Sequence, residues 1–271
     1  MGSEKIPLNE EDTGVDFNHP CAGKVSIFDH EKAVIEETCP DGSPRQKVAI
    51  VGFAASSMSM APFNDPTWSI WAMNQLYRKI PRADRWFEIH ENWDEHVVVG
   101  TDHFGWLSSA PIPVYMVDRV NGITNSVRFP IEKVMGPHID YFTSSVAFMV
   151  ALAIEEGFKE IGLWGIDLIV GEEYFYQKPC AEFWLGVAHG KGITVTLPHT
   201  TALCKQSHRY GYQQEPESLV KMSELVKRRQ ALLDERHKKM IELANIDGAV
   251  QESQMWGDLA DLRMKGGTVN P

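Results

Sequence analysis

The chain has 271 residues, 43% of them hydrophobic and 23% charged, the composition of a globular protein with room for one α/β domain and an appendage. A formal net charge of −11 argues against non-specific binding to duplex DNA, which needs a cationic face to displace counterions. No apolar run approaches the roughly 18 residues of a membrane-spanning helix, and the acidic start MGSEKIPLNEEDTG has no apolar core of a secretory signal. Cys21, Cys39, Cys180 and Cys204 form no CxxC pair and read as reduced thiols, so the expectation is a cytoplasmic protein.

Residues 1–45 are mixed and polar, with CPDGSPRQ at 39–46 as a break. They are expected to form a loosely attached arm, with a short strand or helix around Val25–Ile35. At Lys47 the pattern changes. KVAIVGF (47–53) is a nearly continuous apolar run ending at a glycine, as in a strand buried on both faces of a parallel sheet. SIWAMN (69–74), RWFEIH (85–90) and IPVYMV (112–117) are further strand candidates. SSVAFMVALAIEEGF (144–158) predicts a buried helix closed by Gly157. EIGLWGIDL (160–168) predicts a strand, AEFWLGVAHGKG (181–192) a helix, and ITVTLP (193–198) a last strand. Strands alternating with helices imply a parallel sheet with right-handed crossovers, so residues 46–213 form the α/β domain. From 214 to 271 the apolar positions Leu219, Met222, Val226, Leu233, Met240 and Leu243 follow a helical seam. Asp247-Gly248 reads as a break before a return helix over 249–265, giving a helical hairpin that needs another surface to cover its seam. The basic cluster Lys227, Arg228, Arg229, Arg236, Lys238 and Lys239 is interleaved with acids and reads as a solvated helix face.

Chemistry-bearing residues gather where strands are predicted to end. Gly52 and Ser56 follow the first strand in a small-residue turn, which lets backbone N–H groups approach an anion. Asn74 ends the second strand, and an amide there offers both a donor and an acceptor to a base or ribose edge. Thr143 and Ser144 precede the Ala-rich helix, where hydroxyls cap the first turn and the free N–H groups make an anion site. Asp167 lies near a strand end, followed by Tyr174 and Tyr176, whose rings can stack on a base or donate to a phosphate. Each of these also reads as ordinary capping or surface-loop chemistry. His90, His96, His103, His138, His189 and His199 form a looser group near Glu91, Asp94 and Asp102, but no HxH or HExxH spacing marks a metal site.

The order of these segments resembles the bacterial sialyltransferases that use CMP-sialic acid, and the uncharacterised Rossmann-like proteins related to them. Gly52-Phe53-Ala54-Ala55-Ser56 stands where that family has Gly-Asn-Gly-Pro-Ser, and Met73-Asn74-Gln75-Leu76-Tyr77 where it has Cys-Asn-Gln-Phe-Tyr. Thr143-Ser144-Ser145 matches its Thr-Ser-Gly helix start. Gly157-Phe158-Lys159-Glu160-Ile161 and Gly165-Ile166-Asp167 match its Gly-Tyr-Lys-Glu-Ile and Gly-Ile-Asp. The resemblance spans about Lys47 to Leu203 and is most specific over residues 143–168. It implies a Rossmann-like, mostly parallel sheet flanked by helices. It also implies that Gly52, Ser56, Asn74, Thr143 and Ser144 line a nucleotide and that Tyr174 and Tyr176 touch its phosphate. The turn lacks the family's Asn and Pro, and Ser145 replaces its Gly. The family's catalytic His has no aligned counterpart; the short gap before the last strand holds only His189, in a predicted helix. The chain is also similar to uncharacterised bacteriophage proteins with a VAIVGFA start and a helical tail.

The expectation is a nucleotide-sugar-dependent glycosyltransferase, inverting and metal-independent, with the donor as co-substrate and no other cofactor. His90, nominated by its place at a strand's carboxyl end, is the expected base, with Asp167 second. The phage-like similarity suggests a modified DNA base as acceptor. The C-terminal helices suggest a homo-oligomer, and nothing suggests a membrane partner. A non-catalytic protein that sequesters or senses a nucleotide is the alternative, and a metal-dependent hydrolase built on the His and Asp residues is a third.

Overall fold

A computed structural model of the chain describes residues 14–91, 102–135, 139–168, 174–206, 208–212 and 222–264. It divides into two compact units, residues 1–205 and 206–271.

The first unit is built on a seven-stranded sheet, parallel throughout. Its strands are β3 (Lys47–Val51), β4 (Trp68–Met73), β5 (Arg85–Glu88), β6 (Val114–Met116), β7 (Ser126–Arg128), β8 (Glu160–Trp164) and β9 (Thr194–Thr196). The spatial order is β7-β6-β5-β4-β3-β8-β9. The chain thus starts in the middle, winds outward to β7, and returns to pair β8 with the other side of β3. This is the doubly wound, Rossmann-like arrangement, and the order reverses between β3 and β8.

Alternation along β3 explains why the strand is apolar at every position. Val48 and Ile50 face one core and Ala49 and Val51 face the other, all four fully buried. The first core is covered by α3 (Ser145–Glu155) and α4 (Tyr174–Gly190). The second is covered by α1 (His103–Ser109) and the short turns at Met58–Met60 and Leu76–Arg78. The short α2 (Ile131–Met135) precedes α3. The predicted strands and the Ala-rich helix all form within a few residues of their expected limits. α4 begins earlier than predicted, because Pro179 is accommodated inside the helix rather than ending it.

The segment before Lys47 is more than a loose arm. β1 (Lys24–Asp29) and β2 (Val34–Thr38) pair as an antiparallel hairpin. Buried charges tie it to the sheet domain. Glu37 accepts from Arg45 at 3.1 Å and from Arg85 at 2.9 Å, and Arg85 also reaches Glu156 at 2.8 Å. Arg45 pairs with Asp84 at 2.6 Å, and Asp84 accepts the Ile70 and Gly23 amides. Burial works against the charge on Arg85, but Glu156, Tyr115 and Glu37 outweigh it and hold its pKa well above the usual arginine value.

In the second unit the expected hairpin does not form. One helix, α5, runs unbroken from Met222 to Met264. Gly248 sits inside it with open space where a Cβ would lie. A single helical glycine costs about 1 kcal/mol, too little to reverse a chain whose neighbours are strong helix formers. Among the described residues no helix is long and apolar enough to cross a membrane.

Candidate functional site

A cleft of about 1030 Å³ opens at the carboxyl ends of β3, β4, β5 and β8, where the strand order reverses. Its walls bring together Gly52 after β3, Asn74 after β4, His90 after β5, Thr143 and Ser144 at the head of α3, and Asp167 after β8. Six of the nine residues nominated from sequence therefore line one cavity.

Gly52 and Gly165 hold each other at the floor. The Gly52 amide donates to the Trp164 carbonyl at 2.8 Å, and the Ala54 amide to the Gly165 carbonyl at 2.8 Å. A Cβ on Gly52 would lie 2.6 Å from the Gly165 oxygen, and one on Gly165 would lie 2.2 Å from the Gly52 oxygen. Gly165 also has φ +66°, a backbone that favours glycine. The bareness of Gly52 is thus demanded by the close approach of two strand ends, in addition to anything it does for a ligand.

Ser56 enters the site through Asp167. Its hydroxyl donates to Asp167 Oδ2 at 2.6 Å, leaving Oδ1 buried with no hydrogen-bond partner among the described residues. Asn74 repeats the pattern. Its backbone has φ +54°, a conformation Asn tolerates better than most residues, and its carbonyl accepts the Trp86 indole N–H at 3.0 Å. Its side-chain Oδ1 is likewise buried without a partner among the described residues. An unmet buried acceptor costs about 1–3 kcal/mol, so both oxygens favour a ligand that brings N–H or O–H donors.

His90 belongs to a chain of three groups. Glu88, the last residue of β5, is 3% exposed and binds His90 Nδ1 at 2.7 Å through one oxygen and His103 Nε2 at 3.0 Å through the other. Burial pushes the Glu88 pKa up, but the hydrogen bonds from both imidazoles outweigh it and hold the carboxyl below its usual value. An ionised carboxylate only accepts, so Nδ1–H of His90 donates and the neutral ring carries its lone pair on Nε2. The bond to Glu88 raises the His90 pKa against the opposing effect of burial. His103 stacks on Tyr77 with ring centroids 5.7 Å apart. Sequence reasoning found His90 but missed Glu88. The signal was present in the i, i+2 spacing that puts both on one face of the strand end.

The head of α3 closes one wall. Ser144 caps the eleven-residue helix, accepting the Ala147 amide at 3.4 Å, and the first helical residues, Ser145 and Val146, line the cleft. Phe142 lines the same wall, stacked on Phe148 and Trp184 at 4.4 and 4.8 Å. The tyrosines fare differently. Tyr176 lies on α4, is 65% exposed and is not among the residues lining the cleft; its carbonyl accepts the Thr143 hydroxyl at 3.0 Å. The Tyr174 side chain lies outside the described residues, as do Glu172, Glu173, Asp94, His96 and His138. Gln177 lines the cleft instead. Among the described residues no three His, Cys, Asp or Glu side chains come together as metal ligands.

The fold and the site define a doubly wound parallel α/β protein with a cleft of mixed polar and apolar lining at its switch point. No protein-family model and no curated protein matches the chain. Among solved structures, the chain is similar to the sialyltransferase CstII from Campylobacter jejuni in complex with a substrate analogue, cytidine-5'-monophosphate. The identity is 15%, the match covers 67% of this chain and 98% of that one, and the TM-score is 0.38. A mutant of the alpha-2,3/8-sialyltransferase CstII gives 15%, 67%, 99% and 0.36 in the same order. The monofunctional alpha-2,3-sialyltransferase Cst-I from Campylobacter jejuni gives 12%, 72%, 95% and 0.36. At these scores the likeness is distant and gives no residue-by-residue correspondence.

Proposed function

We propose that the cleft binds a nucleotide-sugar and that the protein is an inverting glycosyltransferase. The observation that carries this reading is that Asn74 and Asp167, each with a buried side-chain oxygen that lacks a donor among the described residues, line one cavity together with the head of α3. A nucleoside supplies what they lack, since its exocyclic amino group and ribose hydroxyls are donors. Its phosphate suits the amides and hydroxyls at the helix start. Asn74 takes the base edge, Asp167 with Ser56 the ribose, and Thr143 with Ser144 the phosphate. Motif order over residues 47–203 makes cytidine nucleotides the first to try.

In the proposed reaction the acceptor hydroxyl gives its proton to Nε2 of His90 as its oxygen attacks the anomeric carbon. The bond from that carbon to the phosphate oxygen breaks, and the charge left on the phosphate is met by the α3 amides. No metal is assigned a role. Glu88 keeps the His90 tautomer and steadies the imidazolium formed.

The test is a thermal-shift screen of the protein against CMP, UMP, GMP and AMP, their diphosphates and sugar conjugates. A ligand that binds only the native state raises the melting temperature. A shift from one nucleotide names the donor for transfer assays, in which acceptors include a modified base in DNA. No shift from any of them overturns the proposal. The place of Tyr176 outside the cleft lining favours a second reading, a protein that binds the nucleotide without transferring the sugar. Binding without turnover on any acceptor would select it.

A further inference from the structure

We infer that α5 pairs with the α5 of a second copy of this chain, antiparallel and in one register. The helix is 43 residues long, about 64 Å at 1.5 Å per residue, with Val226, Leu233, Met240, Leu243 and Val250 all exposed. No isolated helix buries such a stripe by itself. These residues fall on a heptad seam. One set of positions, seven apart, reads Val226, Leu233, Met240, Asp247, Gln254, Asp261; the other reads Met222, Arg229, Arg236, Leu243, Val250, Gly257, Met264.

The polar interruptions of the seam are sorted by sign. Both arginines lie in the first half and both aspartates in the second. The surface follows the same division. Residues 222–241 carry six Lys or Arg against three acids, and residues 242–264 carry five acids against one Arg. Parallel, in-register pairing would set Arg229 on Arg229, Arg236 on Arg236 and Asp247 on Asp247. Like charges buried face to face cost several kcal/mol in specificity. Antiparallel pairing brings the basic half of one helix against the acidic half of the other.

The register follows from the seam. When Leu243 of one copy meets Met240 of the other, Val250 meets Leu233, Gly257 meets Val226, and Arg236 meets Asp247. Arg229 then meets Gln254. The layers of Val226, Leu233, Met240, Leu243 and Val250 each find an apolar or small partner, Met222 meets Asp261 at the ends, and the most central polar layer is an ion pair, formed twice across the two-fold axis. A slip of one heptad sets Arg236 against Met240 in one direction and Asp247 against Leu243 in the other, so each slip strands one of the two central charges. The interface is self-complementary and closes as a dimer. It concerns α5 alone and stands or falls apart from the cleft.

The experiment is sedimentation equilibrium of the full chain at about 0.1 M salt, where exposed charges still act over about 10 Å. The expected result is a dimer. Arg236→Glu sets two carboxylates together, and Asp247→Arg sets two guanidinium groups together. Each weakens dimerisation by at least about tenfold. The double variant Arg236→Glu/Asp247→Arg restores the pair with its polarity swapped and recovers most of the affinity. Helix content by circular dichroism, read alongside, shows that the single variants still fold. A monomeric parent at tens of micromolar, single variants that dimerise as the parent does, or a double variant no better than the singles would each overturn the inference.

Discussion

Glu88 is a buried carboxylate held by two imidazoles, and its neighbour His90 takes its character from that bond. The pH dependence follows. Protonated His90 is favoured by Glu88, so its pKa lies above the ordinary histidine value. A base works when unprotonated, so kcat/KM is expected to rise with pH through that raised pKa. Replacing Glu88→Gln removes the charge that favours the imidazolium, and the His90 pKa falls. An NMR titration of the His90 ring in the two proteins measures the shift without any assay of transfer. An unchanged titration would show that Glu88 does not control His90. By linkage, the raised pKa stabilises the fold at pH below the unfolded histidine value, and this contribution disappears as pH rises through the folded pKa. His90→Ala is expected to lower turnover about 10²–10⁴-fold, the usual worth of a general base, while the nucleotide-induced thermal shift remains. Asn74→Gly is a cleaner probe of binding than Asn74→Ala, because glycine keeps the positive φ of that position while the amide is removed with the rest of the side chain. Loss of one such hydrogen bond is worth about 0.5–1.5 kcal/mol, so Kd for the nucleotide is expected to rise up to about tenfold.

At the scale of elements, the sequence was legible where burial forces a continuous apolar pattern. β3, β4 and β8 lie between two cores, so nearly every residue is apolar and the strands stand out, while β5 shows an apolar pair, Trp86-Phe87, between two charged ends. β7 was hidden because it has only three residues, Ser126–Arg128, two of them polar. The β1–β2 hairpin was legible only as a short strand or helix around Val25–Ile35, because its residues alternate between exposed and half-buried, and its anchors, Glu37 and Arg45, are charged. Most of the candidate site was legible because doubly wound sheets collect polar residues at strand ends. The link from Glu88 to His103 was not, since fifteen residues separate them and only the fold brings α1 to β5. The glycines carry the most direct test of an element. Gly165→Ala places a Cβ against the Gly52 carbonyl in a backbone that disfavours side chains. It is expected to destabilise the protein by about 1–3 kcal/mol, the usual cost of overpacking, measured by urea denaturation. Gly186→Ala, with open space at the Cβ in the middle of α4, is the control expected to have little effect or to stabilise.

At the scale of the whole molecule, the cleft end of the sheet and its opposite end divide the labour. The carboxyl ends of the strands hold the cleft with its unmet acceptors. Near the start of β5, Arg85 joins three parts of the chain that are far apart in sequence. It binds Glu37 from the hairpin and Glu156 beside the end of α3, accepts the packing of Trp71 at 4.8 Å from its ring, and donates to the Tyr115 hydroxyl at 2.8 Å. Burial, helped by the Glu156 and Glu37 carboxylates, pushes the Tyr115 hydroxyl pKa well up against the opposing effect of Arg85, so that residue stays neutral and polar inside the core. Arg85→Met keeps the bulk and removes the charge. Glu37 is then left as a buried carboxylate with Arg45 as its remaining ion-pair partner, and Glu156 loses the same contact. Breaking such a pair from one side costs about 3–5 kcal/mol, a fall in melting temperature on the order of ten degrees for a unit of this size. Adding Glu37→Gln and Glu156→Gln to Arg85→Met removes the stranded charges and is expected to recover part of the loss. That recovery distinguishes an uncompensated charge from a packing defect, because a cavity would persist in the triple variant and leave its melting temperature as low as that of Arg85→Met.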